Sequence, residues 1–248
     1  MDAARLSPGP CLRALSAVSQ APDTGDYVSV ESYPFGLRPA LPGDLDEVRG
    51  LVRDAAEWLR MSKNTDQWEK PWPDQAGQIE RILNDLLKGK TWIVWEGATA
   101  AGTITVDTEE PLDLNERPVW PDHERREPAL YVRRVIVSRR YAGIGLGAAL
   151  LDWASDVARR DHRAALIRID VWTTNEELHA YYERQQFTRR QGRDPQELAN
   201  YPSQALFERE VNRSGSDYRK FFTVNGLAQA PLSVPATLAR HGCTFHDS

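Results

Sequence analysis

The stretch SRRYAGIGLGAALLDWA, residues 138–154, constrains the fold more than any other part of the chain. An apolar strand pattern, LYVRRVIV, ends just before it, and an apolar helical run begins inside it. Gly143, Gly145 and Gly147 therefore sit on a strand-to-helix turn. Without a Cβ, glycines let consecutive backbone N–H groups point at one anion, and the helix that follows adds the positive end of its dipole. A turn of this kind cradles the phosphates of a large cofactor. As an ordinary connection it is a poor choice, because glycine weakens a helix start by about 1 kcal/mol against alanine.

Two cofactor classes are compatible with such a turn. Gly143-x-Gly145-x-x-Ala148 matches the dinucleotide fingerprint, and Asp170 lies near the place of a ribose-binding acid, so an NAD(P)-binding protein is one reading. The order of elements weighs against it. A short strand is expected at 37–40, then a helix capped by Asp44 with Glu47 completing a capping box, and a second helix over 74–88 stopped by Gly89. A hairpin follows, with strands at 91–97 and 101–109 joined by a turn at 97–99. After a polar loop at 110–128 come the strand at 130–137, the glycine turn, a helix to about 160, a strand at 165–172, a helix at 175–185 and a strand at 203–211. The glycines thus arrive past the middle of the chain with one β-α-β unit behind them, whereas a dinucleotide fold needs several.

Composition bounds the remaining possibilities. A chain of 248 residues with 41% hydrophobic residues can bury a proper core. Its net charge of -5 leaves no basic footprint for nucleic acid, and no apolar run reaches the ~20 residues of a membrane span. The two cysteines, Cys11 and Cys243, have no metal-ligand spacing and make no disulfide framework, so no metal and a reducing cytoplasm are expected. Residues 1–33 read as a disordered or loosely packed leader, 34–212 as one domain, and 213–248 as a C-terminal appendage. A homodimer is left open.

The segment 129–187 resembles the GNAT family of acyl-CoA-dependent N-acetyltransferases. The resemblance rests on the strand VRRVIV, the loop RRYAGIGLGAALL, the strand LIRIDVW and the helix NEELHAYYERQQF. It implies an α/β fold, a central mixed sheet flanked by helices in which a splayed parallel strand pair holds the coenzyme. It also implies acetyl-CoA as acyl donor and a small-molecule or peptide amine as acceptor. Val135, Ile136 and Val137 would pair with the pantetheine arm. Ala142, Gly143, Ile144, Gly145, Leu146, Gly147 and Ala148 would hold the pyrophosphate, and Arg139, Arg140 or Arg163 would meet the coenzyme's outer phosphate. The family's loop pattern can be laid on Arg140, Gly143 and Gly145, or two residues later on Ala142, Gly145 and Gly147. Asn175 and Tyr182 fall in register with the last motif, which makes Asn175 a coenzyme contact and Tyr182 the acid for the departing thiolate.

Plainer readings of the same residues stand beside these. Asn175 is a good helix N-cap, the three strand residues are good core, and Tyr181 and Tyr182 are good packing aromatics. Two departures from the family pattern are visible: Gln186 replaces a glycine, and Arg133 and Arg134 occupy the strand position where a glutamate base is common. Those departures motivate a non-catalytic acyl-CoA-binding module as a further alternative. Asp107, Glu109 or Glu96 of the hairpin are the substitute bases. Trp58, Trp68 and Trp72, between the first two helices, are expected to wall the acceptor site.

Overall fold

The computed structural model describes residues 35–225 except 64, 195–196, 199–200 and 212–216; the leader read at 1–33 lies outside the described residues. In chain order the elements are β1 (Phe35–Pro39), α1 (Leu45–Ser62), α2 (Gln75–Leu87), β2 (Thr91–Glu96), β3 (Thr99–Asp107), β4 (Ala129–Val137), α3 (Leu146–Asp161), β5 (Leu166–Val171), α4 (Glu176–Arg184), β6 (Thr188–Arg190), β7 (Ala205–Glu210) and β8 (Phe222–Val224). The strands form one sheet in the order β6-β7-β5-β4-β3-β2-β1-β8. Among the described residues only β4 with β5 and β1 with β8 run parallel, so this is a mixed sheet flanked by helices, as the resemblance implied.

Side-chain alternation along β2 explains the two layers. Ile93 and Val94 are both fully buried although successive strand residues point to opposite faces, so helices must cover both. On one face Val48, Leu51 and Val52 of α1 and Ile82 and Leu86 of α2 pack over Ile93 and Ile136. On the other, α3 brings Leu150, Trp153 and Val157 onto Val94, Ile104 and Ile167. Each such fully buried aliphatic side chain contributes about 1.5–3 kcal/mol.

Local signals mostly act as read. Asp74 caps α2 by accepting the Gly77 N–H at 2.8 Å, and Gly89, at φ 67°, ends that helix. The expected capping box of α1 is not made. Asp44 does sit at the N-cap, but its carboxylate takes Arg38 at 2.7 and 2.9 Å and the Leu41 N–H at 2.7 Å, which leaves nothing for the helix.

Two strands escaped the sequence reading. β6 and β8 are three residues each, too short to show alternation. β8 also falls within 213–248, the segment expected to be an appendage, yet it adds a strand to the sheet. Phe222 is 1% exposed, stacks on Tyr218 with centroids 5.7 Å apart, and belongs to a strand paired with β1.

The middle of the sheet is built to open. β4 and β5 pair from Ala129↔Leu166 to Val132↔Ile169 and no further, although both strands continue. On its other side β4 pairs Thr105↔Arg133 and Thr103↔Ile136, so Arg134 and Val135 together face the single residue Ile104. That extra residue is a β-bulge, with Arg134 at φ 50°, and it turns the end of β4 away from β5. The dinucleotide reading fails on this topology. Among the described residues the sheet has one parallel pair joined through a helix and no second β-α-β half.

Candidate active site

Two cavities meet at the fork of β4 and β5, sharing a wall of Gln67, Trp68, Val135, Leu178 and Tyr182. The larger, about 510 Å³, runs from that wall along the end of β4 to the glycine turn. Val135, Ile136, Val137, Ala142, Gly143, Gly145, Leu146, Gly147, Ala148, Asn175 and Tyr182 all border it, so the fold gathers the residues that the sequence singled out. Ile144 is the exception: its side chain is 49% exposed and only its backbone belongs to the turn.

Each glycine of the turn has its own reason. Gly143 and Gly145 lie at φ 82° and 92°, the left-handed region that costs other residues roughly 1–2 kcal/mol. Gly145 is the N-cap of α3. Gly147 has helical backbone, but a Cβ there would come within 2.9 Å of the Tyr181 hydroxyl. The first residues of α3 wall the cavity, and their N–H groups have no acceptor within the helix. An anion bound at that place would complete them.

Cations gather nearby. Arg139 lies 3.9 Å over the Trp58 ring, with Lys63 at 5.2 Å from the same ring and paired to Glu177. The other arginines considered for an outer phosphate are elsewhere. Arg140 faces Glu96 at 3.7 Å, and Arg163 follows the far end of the 16-residue helix α3, about 24 Å from the turn.

Asn175 proves to be the N-cap of α4, accepting the Leu178 N–H at 3.0 Å, while its amide donates to Gln67 at 2.5 Å. That second bond fastens the α1–α2 connection over both cavities. Thr65 meets Thr174 at 3.3 Å, and Asp66 accepts from Trp172 at 2.8 Å and from Thr174. The three tryptophans divide between the cavities: Trp58, which lies in α1 and not in the connection, borders the larger, Trp72 the smaller and Trp68 both.

Tyr182 is 4% exposed and packs among Tyr181, Phe187 and Phe207. The turn after α4 fixes its height. Despite lacking glycine, Gln186 takes φ 65°, and Phe187 and Gln186 donate to Tyr182 and Glu183 carbonyls at 3.0 and 2.9 Å, closing the helix in a Schellman motif. Burial, then the neighbouring Tyr181 and Asp170, raises the Tyr182 phenol far above its ordinary range, so it is protonated at any working pH. Burial pushes Tyr181 up to about 12.

The smaller cavity, about 160 Å³, lies across the shared wall. Asp170 borders it, accepting from the Tyr201 hydroxyl at 2.5 Å. Burial pushes its carboxyl above the ordinary range, against the Tyr201 hydrogen bond and the charge of Arg133. The three expected bases are not here. Asp107 is held by Lys90 at 2.7 Å and Arg133 at 2.9 Å, Glu109 by Lys90 at 2.9 Å, and Glu96 by the Tyr141 hydroxyl at 2.7 Å; none borders either cavity. Asp170 was missed because strand periodicity does not tell which cavity a half-buried acid faces.

Arg133 and Arg134 do structural work in the bulge. Asp85 of α2 receives Arg134 at 2.7 Å and Arg133 at 3.3 Å, and Arg134 also donates to Thr105 at 3.0 Å. A buried cation stripped of its partner costs about 3–5 kcal/mol, so this shared carboxylate ties α2 to the fork.

The sequence model of the Acetyltransferase (GNAT) family matches residues 54–187. The chain is similar to a Bacillus subtilis (strain 168) protein named Uncharacterized N-acetyltransferase YesJ, 31% identical over 150 residues, which are 60% of this chain and 79% of that one. Among solved structures it resembles a GNAT-family acetyltransferase from Listeria monocytogenes 4b F2365, with 24% identity and a TM-score of 0.53 over 71% of this chain and 94% of that one. The PaiA N-acetyltransferase from Thermoplasma acidophilum, solved in complex with coenzyme A, has 14% identity and a TM-score of 0.51 over 71% of this chain and 98% of that one. At these identities the two structures speak for the fold.

Proposed function

The chain belongs to the GNAT family of acetyltransferases, and we propose that it moves the acetyl group of acetyl-CoA to a primary amine on a small molecule or peptide. The larger cavity takes the coenzyme and the smaller one the amine. One observation carries this reading: the two cavities share a wall that contains Tyr182 and Val135, which belongs to the bulge with Arg134.

The cradle suits the coenzyme. Left-handed glycines and the free N–H groups of α3 fit a pyrophosphate, and the end of β4, unpaired toward β5, offers backbone groups to an amide-bearing arm. When bound, the coenzyme supplies an acetyl group activated as a thioester. Arg139 is the cation placed for an outer phosphate. Backbone N–H groups near Ile136 and Val137 polarise the carbonyl. Asp170 takes a proton from the incoming ammonium and passes it to solvent. As the carbon–nitrogen bond forms and the carbon–sulfur bond breaks, Tyr182 gives its proton to sulfur and recovers the second amine proton. The two protons lost by the ammonium thus end on sulfur and in solvent.

Thiol release from acetyl-CoA across a broad panel of amines tests the proposal. Turnover is expected with at least one amine, and kcat/KM should rise with pH through a midpoint above the usual carboxylate range, as Asp170 loses its proton. Coenzyme binding without release over the whole panel contradicts catalysis and favours a binding module. The cysteine usage supports a reducing cytoplasm as the place of action; no helix among the described residues is long and apolar enough to cross a membrane.

A further inference from the structure

The smaller cavity also bears on what else the acceptor molecule carries. Its charges are unevenly matched. Asp170 is the carboxylate on its wall, whereas Arg133 and Arg134 are already held by Asp85 and Asp107. Arg81 of α2 also borders the cavity and makes no ion pair among the described residues; its guanidinium lies 4.4 Å over the Trp72 ring. Two further donors of the same wall, the indole N–H of Trp72 and the Nε–H of Arg133, are buried without an acceptor among the described residues. A cation without an ion-pair partner among the described residues and an acid on the same wall suit a ligand that brings both an ammonium and an anion.

We propose that the acceptor is a small molecule of amino-acid type, its amino group toward Asp170 and its carboxylate held by Arg81. This rests on the acetyltransferase reading of the same site. A guanidinium held over an indole by cation–π attraction spends no N–H group on that contact, and its N–H groups suit a carboxylate bonded in parallel. A polyamine or amino sugar would add positive charge beside Arg81 and leave its guanidinium without an anion. A peptide N-terminus would bring the amine without the adjacent carboxylate. Size agrees: about 160 Å³ is the liquid volume of about five waters, enough for the amino and carboxylate ends of one small molecule.

The test compares each free amino acid of a panel with its amide and its decarboxylated amine, reading thiol release from acetyl-CoA. For the best amino acid, kcat/KM is expected to exceed that of its amide by about 10- to 100-fold, mostly through KM. Arg81→Gln should bring that ratio close to one, and Arg81→Lys should keep part of it, with thermal melts confirming that both variants fold. A wild-type preference for amides, plain amines or polyamines, or a ratio that Arg81→Gln leaves intact, overturns the proposal while acetyl transfer stands. No release with any member of this panel overturns the proposal, and acetyl transfer falls with it only where the broad amine panel is silent too.

Discussion

Tyr182→Phe is expected to lower kcat by about 10²–10⁴-fold, the range that a positioned proton donor contributes. The thiolate of a departing coenzyme needs its proton mainly in the transition state, so the loss should fall on kcat and spare KM. Stability should hardly change. The ring keeps its edge contacts with Tyr181 and Phe187, at centroid distances of 5.3 and 5.5 Å, and only the hydroxyl is removed. Tyr181 supplies the internal control. It borders the coenzyme cavity but not the amine cavity, so Tyr181→Phe should affect turnover much less. Thiol-release kinetics under conditions where chemistry limits the rate decide the matter; full turnover by Tyr182→Phe would make the residue a packing aromatic and move the proton source to water.

Gly145→Asp is expected to abolish detectable coenzyme binding in a protein that still folds. Three effects act together. The backbone there has φ 92°, a Cβ would press on the Phe221 ring at 3.2 Å, and a carboxylate would sit where the pyrophosphate is expected. Gly145→Ala separates them, since it keeps the strain and the contact but brings no charge. Calorimetric titration with acetyl-CoA should find weakened binding for the alanine variant and none for the aspartate. Unchanged affinity in both would remove the glycine turn from the coenzyme site.

What the sequence reveals here follows from the range of its signals. The strand, glycine turn and helix around Gly145 were legible because periodicity and glycine both act locally, and the hairpin was legible through Gly97, at φ 57°. Tyr182 was legible because its distance from Asn175 sets its place on α4, and the left-handed Gln186 shows that the missing glycine cost strain without displacing the turn. Tertiary pairing hid the rest. Asp107, Glu109 and Glu96 look like free acids until Lys90, Arg133 and Tyr141 are seen to hold them. Asp170 looked like a ribose ligand because its distance along the chain from the glycines is right, whereas in space it borders the other cavity. Asp44 lost its cap to Arg38, a competition that no helix signal encodes.

Acetyl-CoA and NADH, titrated separately into the wild-type protein by calorimetry with a thermal melt of each mixture, test the central claim most directly. Acetyl-CoA should bind saturably and protect the native state by about 2.7 kcal/mol at a hundredfold excess over its dissociation constant. NADH should give neither heat nor protection. Equal protection by NADH, or none by acetyl-CoA, would contradict the assignment of the larger cavity to an acyl-CoA and with it the account of both sites.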